Sequence, residues 1–152
     1  MQKLAKAILY FLLSITVLVI LMKVFFPFYR IATDSMEPTY KRGDIVVVSR
    51  FHYDFFQPKR EEIILIKPIE GVFNRGVWVH RIIALPDDQV AIRNKIVKVN
   101  GKEPLFPRTF NTDMGLTVAP DNVFQKGDNP HSLTCLVPQN EIIGKVIYGF
   151  SI

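Results

Sequence analysis

The chain is poor in sulfur and in metal ligands. Cys135 is its single cysteine, which excludes an internal disulfide and leaves the redox compartment open. The histidines, His52, His80 and His131, are scattered, and none has the spacing to a partner that a zinc site needs, so neither a metal nor another cofactor is expected. His131 and Cys135 lie four apart, but their segment has no helical period to put them on one face, and Cys135 reads as a small buried apolar residue. A basic block is also missing. The formal net charge of +5 comes from 19 Lys and Arg dispersed against 14 Asp and Glu, which disfavours a nucleic-acid partner and suits a surface beside anionic lipid headgroups. Beyond residue 30 no segment keeps a helical period over about 11 residues, and there is no internal repeat or low-complexity tract. With 152 residues, the chain can bury one compact core.

What is present is uneven. "AILYFLLSITVLVILM", residues 7–22, carries no charge, and "KVFFPF" extends the apolar run to Phe28 with only Lys23 inside it. The uncharged part spans about 24 Å as a helix against a hydrocarbon slab of about 30 Å, and Lys23 can snorkel to lengthen it. A single transmembrane anchor over residues 1–28 is expected, with a domain over 29–152 behind it. The rival is a cleavable signal peptide with Lys3 and Lys6 as its n-region. The apolar run exceeds the roughly 7 to 15 residues of an h-region, and no A-x-A-like site follows it. The positive-inside rule tilts toward an inside N-terminus.

Val- and Ile-rich runs follow, bounded by Gly, Pro, Asp and Asn: "GDIVVVSRF" (43–51), "EIILIKPI" (62–69), "GVWVHRIIAL" (76–85), "QVAIRNKIVKVNG" (89–101) and "EIIGKVIYGF" (141–150). These are strand and turn signals. The fourth run alternates, breaks at "RNK" and alternates again, which predicts a hairpin with a second tight turn at Asn100-Gly101. The domain is therefore expected to be mainly β.

"DSMEPTY", residues 34–40, makes Ser35 either a nucleophile or a polar turn residue. Serine hydrolysis also needs a base and donors for the tetrahedral oxyanion. His80, in "VWVHRIIALP", is the base candidate, because an imidazole accepts a proton near neutrality. Asp128, in "KGDNPHS", is the candidate to orient that imidazole. Each also has a plain structural reading as a turn or strand residue. His52 reads as a surface residue. Phe25, Phe26, Phe28, Phe55, Phe56 and Trp78 suit either a belt at the membrane surface or, for the last three, core packing.

The order of these segments resembles the type I signal peptidase family of membrane-anchored serine proteases. "SMEPT" is similar to the nucleophile box, "KRGDIVVV" to the strand after it, "HRIIALPDD" to the base box, "KIVKVNGK" to the Asn-Gly turn region, and "GDNPHSLTC" with "VPQNEIIGKV" to the C-terminal box. The resemblance implies a signal-peptidase-like β catalytic domain on the extracytoplasmic side of the plasma (inner) membrane, behind a single-pass anchor. It implies that Ser35 attacks, that the Ser35 amide and the Thr33 hydroxyl hold the oxyanion, and that Ser132 contacts the base. His80 followed by Arg81 resembles the archaeal and endoplasmic-reticulum branch and so implies a Ser/His mechanism. Two positions depart from the family pattern: Asp87 replaces a glycine of the base box, and Thr134 stands where a second aspartate is common.

The expected partners are the lipid bilayer and the signal peptide of a preprotein, bound by strand addition and cut after a small residue. Two further readings stay open at this stage. One is a peptidase that matures a single dedicated substrate such as a pilin, and the other is a catalytically silent, membrane-tethered binding module or assembly chaperone.

Overall fold

The computed structural model describes residues 2–68, 76–104 and 113–151. Helix α1 (Gln2–Phe25) exposes its aliphatic side chains all round and is long and apolar enough to cross a membrane. Its 24 residues correspond to about 36 Å of helix. The two hydroxyls within it are satisfied internally, Ser14 Oγ donating to Phe11 O at 2.8 Å and Thr16 Oγ1 to Leu12 O at 2.9 Å. Lipid offers no such partner. Pro27 follows the helix and cannot continue it.

The chain then enters β structure at once. In chain order the strands are β1 (Phe28–Arg30), β2 (Ile45–Ser49), β3 (Ile63–Ile66), β4 (Trp78–Ala84), β5 (Gln89–Arg93), β6 (Ile96–Val99), β7 (Met114–Thr117), β8 (Asn122–Lys126), β9 (Thr134–Pro138) and β10 (Ile142–Phe150). One helical turn, α2 (His52–Phe55), lies between β2 and β3. A seven-stranded sheet runs β1-β2-β10-β3-β4-β8-β9, and a three-stranded sheet runs β6-β5-β7. Each of the five Val/Ile-rich runs holds a strand, although Ile69 of the second run lies outside the described residues.

The expected hairpin is present. Val90 pairs with Val99 and Ile92 with Val97, and the four form a buried cluster with Ile83, Ala84, Val118 and Phe124. Its loop is Asn94 and Lys95 at φ 51° and 68°, the left-handed pair that matches strand twist. Asn100 and Gly101 repeat the device at φ 52° and 78°. Asp87 takes φ 66°, a conformation Asp tolerates better than most residues, so the turn that prefers glycine is kept.

Strands β1, β7, β8 and β9 carried no signal in the sequence. β1 has only three residues, β9 ends on Pro138 at a sheet edge, and β8 is "NVFQK", buried at Val123, Phe124, Gln125 and Lys126. Burial without alternation, with two polar residues included, defeats a period-2 reading. Phe55 and Phe56 are exposed, whereas Trp78 packs against Ile64, Ile66 and Ile82. His52 is half-buried and stacks on Phe56 with ring centroids 5.0 Å apart, so it is not the surface residue expected.

Candidate active site

Ser35 lies in the loop between β1 and β2. Met36 is fully buried and plugs that loop into the core, which leaves Ser35 half-exposed beside it. The Ser35 and Thr33 hydroxyls are 3.0 Å apart. The loop is clamped from the turn after β8: Asn129 donates its backbone N–H to Ser35 O at 2.9 Å and its side-chain amide to Asp34 O at 3.1 Å. Gly127 lies so close that a Cβ there would meet Ser35 O at 2.2 Å. At the other end of the loop, Thr39 Oγ1 donates to Asp128. "DSMEPT" and "GDNPHS", about ninety residues apart, thus form one layer.

Beneath that layer β4 and β8 bury the polar residues His80, Gln125 and Lys126 at 0%, 0% and 1% exposure. The Arg81 guanidinium donates to both Asp128 carboxylate oxygens, at 3.0 and 2.6 Å, and to Glu61 O at 2.8 Å. A forked, desolvated pair of this kind is rigid, and it fixes the turn that clamps Ser35. On His80, the bonded partner of Nδ1 is Gln125 Oε1, a residue that sequence reasoning passed over. Asp128 reaches His80 through its charge. Burial pushes the His80 imidazole down to about 4, with the Gln125 bond and the Asp128 charge opposing and Lys126 adding to the depression.

Lys126 was also missed, having been read only as part of the loop "KGDNPHS". Its Nζ donates to Asn129 O at 2.9 Å, Pro130 O and Ser132 O at 3.2 Å, and Ser132 Oγ at 3.0 Å. Ser132 therefore meets a lysine, and it is this lysine that shapes the turn. Thr134, where a second aspartate was looked for, donates its hydroxyl to Gln125 O at 2.6 Å. Cys135 is half-buried, and its Sγ accepts a hydrogen bond from Gln125 Nε2 at 3.0 Å. Among the described residues no cluster of His, Cys, Asp and Glu could hold a metal.

A cavity of about 290 Å³ opens beside Ser35, lined by Tyr29, Ala32, Thr33, Met36, Val77 and Val79 among others. It lies between the β1 segment, at the end of the seven-stranded sheet, and the start of β4. An edge strand beside a mostly apolar slot can take an extended peptide as an added strand.

The depressed His80 has a stability consequence. Its folded value, about 4, lies below the unfolded value near 6.5, so the unfolded chain binds the proton first. The stabilisation is complete above pH about 6.5 and is lost as pH falls toward about 4, by about 3 kcal/mol. Melting temperature should therefore drop over that window, and His80→Gln should flatten the drop. An unchanged pH slope in that variant would assign the effect to another group.

A hydroxyl pair on a clamped loop opens onto the cavity beside Ser35, in a β-sheet domain behind an apolar N-terminal helix. The family model "Signal peptidase, peptidase S26" matches residues 1–150, and the chain belongs to this family. It is 32% identical over 135 residues to the probable signal peptidase I-1 of Synechocystis sp., covering 79% of this chain and 68% of that protein. It is 29% identical over 145 residues to signal peptidase I of Bacillus caldolyticus, covering 80% and 78%. Against thylakoidal processing peptidase 1, chloroplastic, of Arabidopsis thaliana it is 27% identical over 138 residues, covering 79% of this chain and 40% of that one. The crystal structure of a signal peptidase I from Enterococcus faecalis V583 superposes with a TM-score of 0.51 at 22% identity, covering 60% of this chain and 97% of that chain. This last likeness concerns the fold.

Proposed function

We propose that this chain is a single-pass, membrane-anchored signal peptidase of the Ser/His type, with residues 1–28 as anchor and 29–152 as catalytic domain. The observation that carries the reading is the Ser35–Thr33 hydroxyl pair, held by Asn129 and Gly127 at the mouth of the cavity. The preprotein lies extended along β1 with its small residue in the slot. Ser35 Oγ attacks the carbonyl carbon while His80 takes the hydroxyl proton. The Ser35 N–H and the Thr33 hydroxyl stabilise the oxyanion. The imidazolium then gives its proton to the leaving amine, and a water, activated by His80, hydrolyses the acyl-enzyme. Asp128 fixes the loop layer and lends His80 a negative field, and Ser132 supports the turn.

The hydrogen bond of the Ser35 hydroxyl runs to Thr33, so substrate binding must turn Oγ toward the base, as tightening in the Michaelis complex commonly does. Ser35 lies ten positions after Phe25, the last residue of α1. Val48 N donates to Pro27 O at 3.1 Å and Arg50 N to Phe25 O at 3.2 Å, so the domain is tied directly to the helix end. Phe28, Phe55, Phe56 and Tyr148 stay exposed and suit the bilayer interface. On this reading the catalytic domain lies against the extracytoplasmic face of the plasma membrane, where preproteins emerge.

Thr33→Val keeps the volume and removes the donor. It should lower kcat for a reporter preprotein by about 10²- to 10³-fold with little change in KM, while Thr33→Ser stays near wild type. Equal activity of both variants would remove Thr33 from the oxyanion role.

A further inference from the structure

The Gln125 side chain lies between His80 from β4 and Cys135 from β9. Gln125 pairs with Cys135 in the β8–β9 register and with Ile82 in the β4–β8 register. Its Oε1 meets His80 Nδ1, and its Nε2 donates to Cys135 Sγ at 3.0 Å. Its own carbonyl is held by the Thr134 hydroxyl at 2.6 Å. With Oε1 turned to the ring and Nε2 to Cys135, an arrangement in which Nδ1 donates leaves the lone pair of the neutral ring on Nε2. The ring also packs against Trp78 in a T-shaped arrangement, with centroids 5.6 Å apart and planes at 70°.

We infer that Gln125 is the positioning residue of the base, setting the tautomer of His80 in place of a carboxylate, with Cys135 holding the Gln125 amide in register. The inference rests on His80 being the base. In a serine triad the third member does two things: it sets the tautomer and it stabilises the imidazolium that forms. Gln125 does the first and, being neutral, does little of the second. Among the described residues, the charges of Lys126 and Asp128 act on His80 and oppose each other. From β3 the residue opposite is the apolar Ile64, and from β9 it is the Cys135 thiol, reached through Gln125. A carboxylate at position 125 would place a compensating negative charge directly on the imidazolium.

The test uses the full chain in detergent micelles. Histidine ¹⁵N shifts of the wild type, with His80→Gln to assign the resonance, report which ring nitrogen carries the proton. The expected result is a proton on Nδ1 of His80, lost or mixed in Gln125→Leu. A proton on Nε2 in the wild type would overturn the inference, and this readout needs no activity.

Cleavage of a reporter preprotein across pH supplies the second arm. Gln125→Leu should lose about 100-fold or more in kcat, because a base in the wrong tautomer has been known to cost up to about 10⁴-fold, with KM held. Gln125→Glu should keep activity and move the acid limb of the profile upward by at least about one pH unit. A purely structural Gln125 would lower activity in both variants and leave the limb in place, which counts against the inference. Loss of activity in His80→Gln together with an unmoved limb overturns only the role of Gln125. Retained activity in His80→Gln overturns the Ser/His reading itself.

Discussion

Ser35→Ala is expected to abolish cleavage of a reporter preprotein, with a loss of at least about 10⁴-fold, while melting temperature stays within a few degrees of wild type. The side chain is half-exposed and among the described residues its hydroxyl bonds to the exposed Thr33, so its removal opens no cavity and orphans no buried group there. The loop is held instead through backbone atoms, by Asn129 on Ser35 O and on Asp34 O, and those bonds survive the substitution. Mass spectrometry of the preprotein after incubation with wild type and variant reads cleavage and its position together. Wild-type-like product from Ser35→Ala would sink the nucleophile assignment. A silent binding module is distinguished by the same pair, since it predicts no product from either protein.

The sequence made the frame of this molecule legible where physics is local. A long apolar run shows as α1, and alternation around "RNK" and "NG" shows as the β5–β6 hairpin, because left-handed turn residues and period-2 burial leave a mark in neighbouring letters. Ser35 was singled out as a candidate and the family resemblance added Thr33, and the structure brings their hydroxyls to 3.0 Å on one loop. The layer below them was not legible. Gln125 and Lys126 are adjacent polar residues on a strand, and alternation would send one of them to solvent. A register irregularity between Ile82 and Ala84 where β4 meets β8 accompanies the burial of both. Asp128 was singled out for its charge and its place in "GDN", and the structure engages its carboxylate with Arg81 and Thr39. Which of several polar residues meets an imidazole from another strand is a matter of pairing register, and register is set by contacts across the whole sheet.

The same geometry makes one small substitution severe. Gly127→Ala adds a methyl group that would sit 2.2 Å from Ser35 O and 2.8 Å from both Cβ and Oγ of Ser132. The first neighbour is backbone, and it cannot swing aside as a flexible side chain does. Ser132 Oγ is itself held by Lys126 Nζ at 3.0 Å and lies 3.0 and 2.8 Å from Gly127 O and Asn129 O. The relief must come from separation of the two loops, which lengthens the Asn129 bond and displaces Ser35, the nucleophile of the proposed mechanism. Misplacement of a reacting group by about 1 Å costs about 100-fold in rate. Gly127→Ala should therefore lower kcat by about that factor or more, with the three-stranded sheet and α1 intact and far-ultraviolet circular dichroism unchanged. Adding Ser132→Gly to Gly127→Ala removes one of the two obstacles but leaves the Ser35 carbonyl, and so should restore little. Full rescue by that second change would place the decisive contact at Ser132 and free the nucleophile loop from Gly127.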